Sequence, residues 1–274
     1  MIVYPNAKIN IGLHVIEKRL DGFHTIETVF LPIGLSDILE VIINKASKEK
    51  HVEFSTSGIF IPGNPSENIC VKIYEKLKIN FNLPALKIHL HKIIPVGAGL
   101  GGGSSDAAFF IKIIDALCEL NLDKEKKLYY SEQAGSDAPF FIENKISFAQ
   151  GKGEKIFPLL IDLKGLYLVL INPKIHISTV DAYSGVTPKK PNISLKNLIV
   201  ETPIENWKEV IRNDFEESIF KKYPQFQSLK QNLYLSGAVY AAMSGSGSSL
   251  YGFFREKPEL NPELKKYVIW EETL

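Results

Sequence analysis

Pro95-Val96-Gly97-Ala98-Gly99-Leu100-Gly101-Gly102-Gly103-Ser104-Ser105-Asp106-Ala107-Ala108 lies between a strand-like run and a long apolar segment. Five glycines in seven residues (Gly97, Gly99, Gly101, Gly102, Gly103) free the backbone to take positive φ and strip it of side chains. Two serines then open a helix. The first turn of a helix carries unpaired N–H groups and a partial positive charge. A glycine-rich turn that feeds such a terminus is a cradle for phosphate, so the stretch points to a nucleotide or a phosphorylated ligand.

Outward from the loop, residues 86–94 read as a strand stopped by Pro95. Residues 105–120 read as a helix apolar nearly all round, and therefore buried. Gly97, Gly99 and Gly102 satisfy the spacing of a dinucleotide fingerprint, and Asp123 falls about twenty residues on. That fingerprint needs a second strand to deliver the acid, whereas residues 115–120 continue a helix. A Walker loop is excluded, because no Gly-Lys-Ser/Thr follows. A purely structural turn is the bland alternative. It is disfavoured because each glycine adds unfolded-state entropy worth roughly 0.5–1 kcal/mol.

The chain has 274 residues and is 45% hydrophobic, enough for one large domain or two moderate ones. With 32 basic and 31 acidic side chains, the formal net charge is +1. That balance argues against a nucleic-acid or anionic-membrane surface, which needs a basic excess. Cys70 and Cys118 read as reduced core residues of a cytoplasmic protein. No apolar run reaches membrane-spanning length. A strand expected from Ile2 or Val3 leaves no room for a signal peptide.

Residues 6–15 alternate, with Ala7, Ile9, Ile11, Leu13 and Val15 on one face and Asn6, Lys8, Asn10, Gly12 and His14 on the other. Asp21-Gly22 marks a turn into a strand over residues 25–31, and a further strand is expected over 38–43. The lysine-rich stretch 45–50 reads as a solvated hairpin end. Asn64-Pro65-Ser66-Glu67 has the pattern of a helix start, and Ile69, Ile73 and Leu77 mark that helix's buried face. Thr202-Pro203-Ile204-Glu205 has the same capping-box pattern. Strands over 238–243 and 250–254 are joined by a second glycine–serine loop, residues 244–249. Strands and helices mix without strict alternation, which favours an α+β fold. A boundary near Glu154, after the Gly151-Lys152-Gly153 turn, divides the chain into domains 1–154 and 155–274.

The glycine loop resembles the phosphate-binding motif of the GHMP kinase superfamily. Pro5-Asn6-Ala7-Lys8-Ile9-Asn10-Ile11 looks like that superfamily's first motif, and Met243-Ser244-Gly245-Ser246-Gly247-Ser248-Ser249 like its third. Lys8 with Asn10, Asp21-Gly22-Phe23-His24, and Gly135-Ser136-Asp137-Ala138-Pro139-Phe140 resemble the 4-diphosphocytidyl-2-C-methyl-D-erythritol kinases within it. The resemblance implies a two-domain α+β fold, with an N-terminal domain like ribosomal protein S5 and a ferredoxin-like C-terminal domain. It implies transfer of the ATP γ-phosphate to the 2-hydroxyl of a cytidylated methylerythritol, a step of the non-mevalonate route to isoprenoid precursors. Mg²⁺ as cofactor, a small-molecule substrate, a cytoplasmic location, and a monomer or homodimer complete the expectation.

The same resemblance assigns roles. Asp137 is the general base and Lys8 its charged neighbour; from spacing alone, a capping Asp and a solvated edge-strand lysine are the better readings. Asp137 is expected in an extended turn. Pro95, Gly97, Gly99, Leu100, Gly101, Gly102, Gly103, Ser104, Ser105 and Asn68 fall to ATP, with Ser104 or Ser105 near the metal. Asn68 and Glu67 are explained nearly as well by a helix start. Asp106 reads as serving the helix dipole or helping to hold the metal, the first being preferred. Asn10, Phe23, His24, Tyr183, Ser244 and Gly245 fall to the acceptor substrate, Phe23 and Tyr183 by stacking on cytosine and His24 by hydrogen bonding to it. The family more often has Tyr before this His and Phe at the later site. Asp181 and His176 flank this region. Competing readings are a homoserine- or mevalonate-type kinase, a nicotinamide-dependent oxidoreductase, and a non-catalytic ligand sensor. Phe23-His24 and Tyr183 disfavour the first, and retention of both Lys8 and Asp137 the last.

Overall fold

The computed structural model describes residues 1–47 and 51–274. Residues 48–50, the end of the lysine-rich stretch, lie outside the described residues. The strands are β1 (Ile2–Val3), β2 (Asn6–Lys18), β3 (His24–Ser36), β4 (Ile38–Ile43), β5 (Val52–Gly58), β6 (Leu86–Lys92), β7 (Ser147–Gly151), β8 (Lys155–Pro158), β9 (Tyr167–Ile171), β10 (Tyr240–Met243), β11 (Leu250–Phe254) and β12 (Val268–Thr273). The α-helices are α1 (Ile69–Asn80), α2 (Gly102–Leu117), α3 (Lys124–Glu132), α4 (Ala138–Glu143), α5 (Thr179–Ser184), α6 (Leu195–Glu201), α7 (Trp207–Val210), α8 (Phe215–Lys222), α9 (Gln225–Leu235) and α10 (Pro262–Lys265).

Two compact units form, each from several stretches of chain. The first comprises Met1–Ala7, Gly34–Val96 and Gly101–Asn144; the second comprises Lys8–Ile33, Gly97–Leu100 and Lys145–Leu274. These units follow sheet pairing: β3 pairs antiparallel with β7, which draws the early strands into the second unit. The sequence division after Glu154 is a different partition, and we keep it as a proposal about domains.

The first unit has one sheet in the order β1-β4-β6-β5, with β5 parallel to β6 and the other neighbours antiparallel. Leu39, Val41, Ile88 and Leu90 of this sheet share a core with Ile73 and Leu77 of α1 and with Phe110, Ile111 and Ile114 of α2. Helix α1 starts later than its sequence signal. Asn64 and Glu67 do form a capping box, but it closes a separate 3-10 turn, Pro65–Glu67, and α1 is capped afresh by Asn68. The Thr202 pattern forms no such box, because Pro203 occupies the cap position and offers no side-chain acceptor.

The second unit has two sheets, β2-β3-β7-β8 and β10-β11-β9-β12. Leu13, Val15 and Ile26 join Val169, Ile171 and Leu250 and the helical residues Phe215, Ile219, Phe226 and Leu229 in one apolar cluster. The alternation of β2 marks its apolar face correctly, yet the polar face is also closed: every residue from 7 to 15 is buried. Asn10 shows how its polar groups are satisfied. Its Nδ2 donates to Thr28 Oγ1 at 2.9 Å, its backbone N–H donates to Ser244 Oγ at 3.2 Å, and its carbonyl accepts from Tyr251 OH at 2.8 Å.

Candidate functional site

Three separated motifs meet inside the second unit. The Lys8 backbone N–H donates to Leu100 O at 3.0 Å. Its ammonium donates to Asn10 Oδ1 at 2.5 Å and to Gly99 O at 3.1 Å. Ser244 Oγ donates to the same Gly99 carbonyl at 2.8 Å, and Ser249 N–H donates to Ala98 O at 3.1 Å. Lys8 is 2% exposed and lies 5.0 Å from the centroid of the Phe30 ring, so it is not the solvated edge lysine that spacing alone favours. The close approach explains Gly99: at φ +77° a Cβ would lie 2.0 Å from Ser244 O. Gly245 is less tightly placed, 3.2 Å from Asn10 Oδ1 at its Cβ position. Asn213, which sequence reasoning missed, fixes the third loop through bonds from Nδ2 to Met243 O and Gly245 O, both 2.8 Å.

The rest of the glycine loop belongs to the first unit. Helix α2 begins at Gly102, not at Ser105 as expected, so Gly102, Gly103, Ser104 and Ser105 form its first turn. Gly101 is the reason. At φ 70°, ψ 14° it sits in the left-handed region, and its carbonyl accepts the first helical bond, from Ser105 N–H at 2.9 Å. The unpaired amides of that turn therefore follow directly on the loop. Ser104 is half-buried and Ser105 fully buried, its Oγ without a hydrogen-bond partner.

Asp106 does not serve the helix dipole from the surface. Its carboxylate is buried and accepts from Lys92 Nζ at 2.7 Å. Burial pushes this carboxyl up to about 7, against the opposing pull of Lys92. Burial alone would lower the Lys92 ammonium, but Asp106 and Asp37 together hold it above its ordinary value.

Asp137, also in the first unit, stands at the cap position of α4 but its side chain makes no capping hydrogen bond. Its backbone is helical, φ −85° and ψ −13°, rather than extended, because α4 starts at the next residue with Pro139 in its first turn. Asn68 accepts from Cys70 N–H at 3.0 Å, which is the helix-start role.

The aromatic residues lie in the second unit. His24 stacks on Tyr183 with centroids 4.6 Å apart and an interplanar angle of 21°, and Tyr183 meets Phe215 edge-on at 4.8 Å. Burial, with Lys18 nearby, lowers the His24 imidazole below its usual value. Phe23 is 57% exposed, with the Lys152 ammonium 4.7 Å from its centroid. His176 lies beside the glycine loop, its Cε1 3.4 Å from the Cβ position of Gly97. Asp181 is exposed and pairs with Lys222 at 3.5 Å. The dinucleotide reading loses its acid: Asp123 is not delivered by a strand but caps α3 through Lys126 N–H at 2.8 Å. Among the described residues no group of three or more His, Cys, Asp and Glu is arranged to hold a metal.

The family model for the GHMP kinases N terminal domain matches residues 68–145, and that for the GHMP kinases C terminal domain matches residues 195–267. A 4-diphosphocytidyl-2-C-methyl-D-erythritol kinase of Bacteroides fragilis is 48% identical over 260 residues, 95% of this chain and 94% of that protein. Its counterpart from Parabacteroides distasonis is 45% identical over 277 residues and the whole length of both. A crystal structure of 4-(cytidine 5'-diphospho)-2C-methyl-D-erythritol kinase matches with a TM-score of 0.76 at 28% identity, over 92% of this chain and 89% of that one. Mevalonate kinase from Methanococcus jannaschii shares the fold at a TM-score of 0.67 and 14% identity, over 97% of this chain and 92% of that one. In sequence and in fold alike, the chain belongs to the 4-diphosphocytidyl-2-C-methyl-D-erythritol kinases of the GHMP kinase family.

Proposed function

We infer that the chain transfers the γ-phosphate of ATP to the 2-hydroxyl of 4-diphosphocytidyl-2-C-methyl-D-erythritol, as a step towards isoprenoid precursors. The observation that carries this reading is the meeting of Lys8, Gly99 and Ser244, which joins the family's three motifs at one carbonyl. Asp137 accepts the proton of the attacking hydroxyl. Lys8, fixed by Asn10 and Gly99, steadies the negative charge that develops. The glycine loop and the amides that open α2 bind the phosphates. The transition state of phosphoryl transfer is loose, so positioning and electrostatics dominate and no phosphoenzyme forms.

Mg²⁺ would enter with ATP and supply positive charge to the phosphates. In such sites the metal is held largely by phosphates and water, with few protein ligands. Of the two serines, Ser104 fits this role, since Ser105 has no exposed surface. The reaction is placed in the cytoplasm, by a monomer or homodimer. Among the described residues no helix is long and apolar enough to cross a membrane.

Cytidine recognition falls to Phe23, His24 and Tyr183. With its imidazole lowered, His24 is neutral near pH 7 and offers one donor and one acceptor to a base edge. Base–aromatic stacking is worth about 1–3 kcal/mol. Phe23→Ala should therefore raise KM for the cytidylated substrate by roughly 5- to 100-fold while KM for ATP stays within about twofold. Because Phe23 is largely exposed, its thermal midpoint should barely move; equal losses for both ligands would return Phe23 to a packing role.

The direct test is purified protein with ATP, Mg²⁺ and 4-diphosphocytidyl-2-C-methyl-D-erythritol, followed by ADP release. Turnover that requires this acceptor supports the reading. Turnover with homoserine or mevalonate instead would overturn the substrate assignment, and absence of ATP binding would overturn the kinase reading itself.

A further inference from the structure

Lys92, Asp37 and Asp106 bury three ionisable groups at 3%, 0% and 2% exposure. Lys92 Nζ donates to Asp37 Oδ2 at 2.5 Å and to Asp106 Oδ2 at 2.7 Å. Asp37 Oδ1 accepts from the backbone N–H groups of Ile93 at 2.6 Å and Ile94 at 2.8 Å. Ile94 immediately precedes Pro95, and Asp106 lies in the second turn of α2. One ammonium and its two carboxylates thus grip the chain on both sides of the glycine loop. Gly102 closes against them: a Cβ there would come within 3.0 Å of both Lys92 Nζ and Ile94 Cγ2.

Buried ion networks contribute little net stability, because desolvation offsets the attraction, and their best-attested use is to fix register. Here the register fixed is that of two loop stems. Residues 95–101 between them carry three glycines and have a backbone with many accessible conformations. A loop of this kind loses conformational entropy when it closes on a ligand, and fixed ends reduce that loss.

We propose that Lys92, with Asp37 and Asp106, is a positioning clamp that sets the spacing of the two stems of the glycine loop and thereby the affinity for the ATP phosphates. The proposal rests on the kinase reading above. It assigns these residues to nucleotide binding and to neither acceptor binding nor proton transfer.

Asp106→Asn tests it with little change of shape, since Asn can still accept from Lys92 but lacks the charge. Lys92→Met is the harsher companion, because it leaves two buried carboxylates unpaired; where it fails to fold, Asp106→Asn decides alone. Calorimetric titration with ATP and Mg²⁺, without acceptor, gives the affinity directly; steady-state kinetics give both KM values and kcat. For Asp106→Asn the expected result is an ATP Kd raised about tenfold, with acceptor KM and saturated kcat within about twofold. A lowered melting temperature with unchanged ATP affinity, or both KM values rising together, would overturn the clamp. Failure of the unaltered protein to bind ATP would instead remove the kinase reading, so the two failures are distinguishable.

Discussion

Asp137→Asn is expected to lower kcat by about 10²–10⁴-fold, the range for loss of a general base. The substitution keeps the size of the side chain and removes its ability to hold the proton of the attacking hydroxyl. Asp137 occupies the cap position of α4 without making a side-chain capping bond, so the usual cost of about 1 kcal/mol for deleting a cap does not apply. Single-turnover kinetics at saturating ATP and acceptor isolate the chemical step. The loss should appear equally in kcat and kcat/KM, as for an interaction made only in the transition state. A rate close to that of the unaltered enzyme in this experiment would take the base role away from Asp137 and leave it a residue of the loop before α4.

The phosphate loop was legible because its chemistry is local. Alternating glycines at 97, 99 and 101 announce positive φ, and the structure has φ of 66°, 77° and 70° there. The start of α2 was misplaced by three residues for the same reason: glycines disfavour helix interiors, so Gly102 and Gly103 read as loop. What decides their state is the Gly101 carbonyl that accepts from Ser105, a feature of the folded backbone. Lys8 was ambiguous in sequence because alternation in β2 separates polar from apolar residues but cannot show that the polar face is covered as well. Lys92 was invisible. It is one more polar residue at a strand end, and its partners lie 55 and 14 residues away. Its only local clue was Asp106, an acid next to an expected phosphate site. The swapped aromatics show the same limit. The resemblance assigns Phe23 and Tyr183 to cytosine, and what it does not give is their neighbours within the chain: His24 stacks on Tyr183, and Lys152 lies over Phe23.

Lys8→Met should cost about 10²–10³-fold in kcat, comparable to removing one donor aimed at developing charge. Met keeps much of the side chain's length beside Phe30 and deletes only the ammonium. The deletion also strips a donor from Asn10 Oδ1 and Gly99 O, in a region where Lys8 and Asn10 are each 2% exposed. Gly99 O keeps its bond from Ser244 Oγ, whereas Asn10 Oδ1 loses its short one; a buried acceptor deprived in this way costs about 1–3 kcal/mol at most, so a lower melting temperature is expected alongside the rate loss. The two effects separate in kinetics. Loss of loop order alone would raise KM for ATP and leave kcat at saturation nearly intact, whereas loss of charge stabilisation lowers kcat. A rise in KM with unchanged kcat would make Lys8 a binding residue. The double variant Lys8→Met/Asp137→Asn sharpens the argument. If Asp137 takes the proton and Lys8 steadies the charge in one transition state, the two losses cannot be independent, and the double variant should be slower than the worse single variant by far less than the product of both. Full multiplicative losses would mean that the two residues contribute independently, and the coupling of Lys8 to the proton transfer at Asp137 would have to be given up.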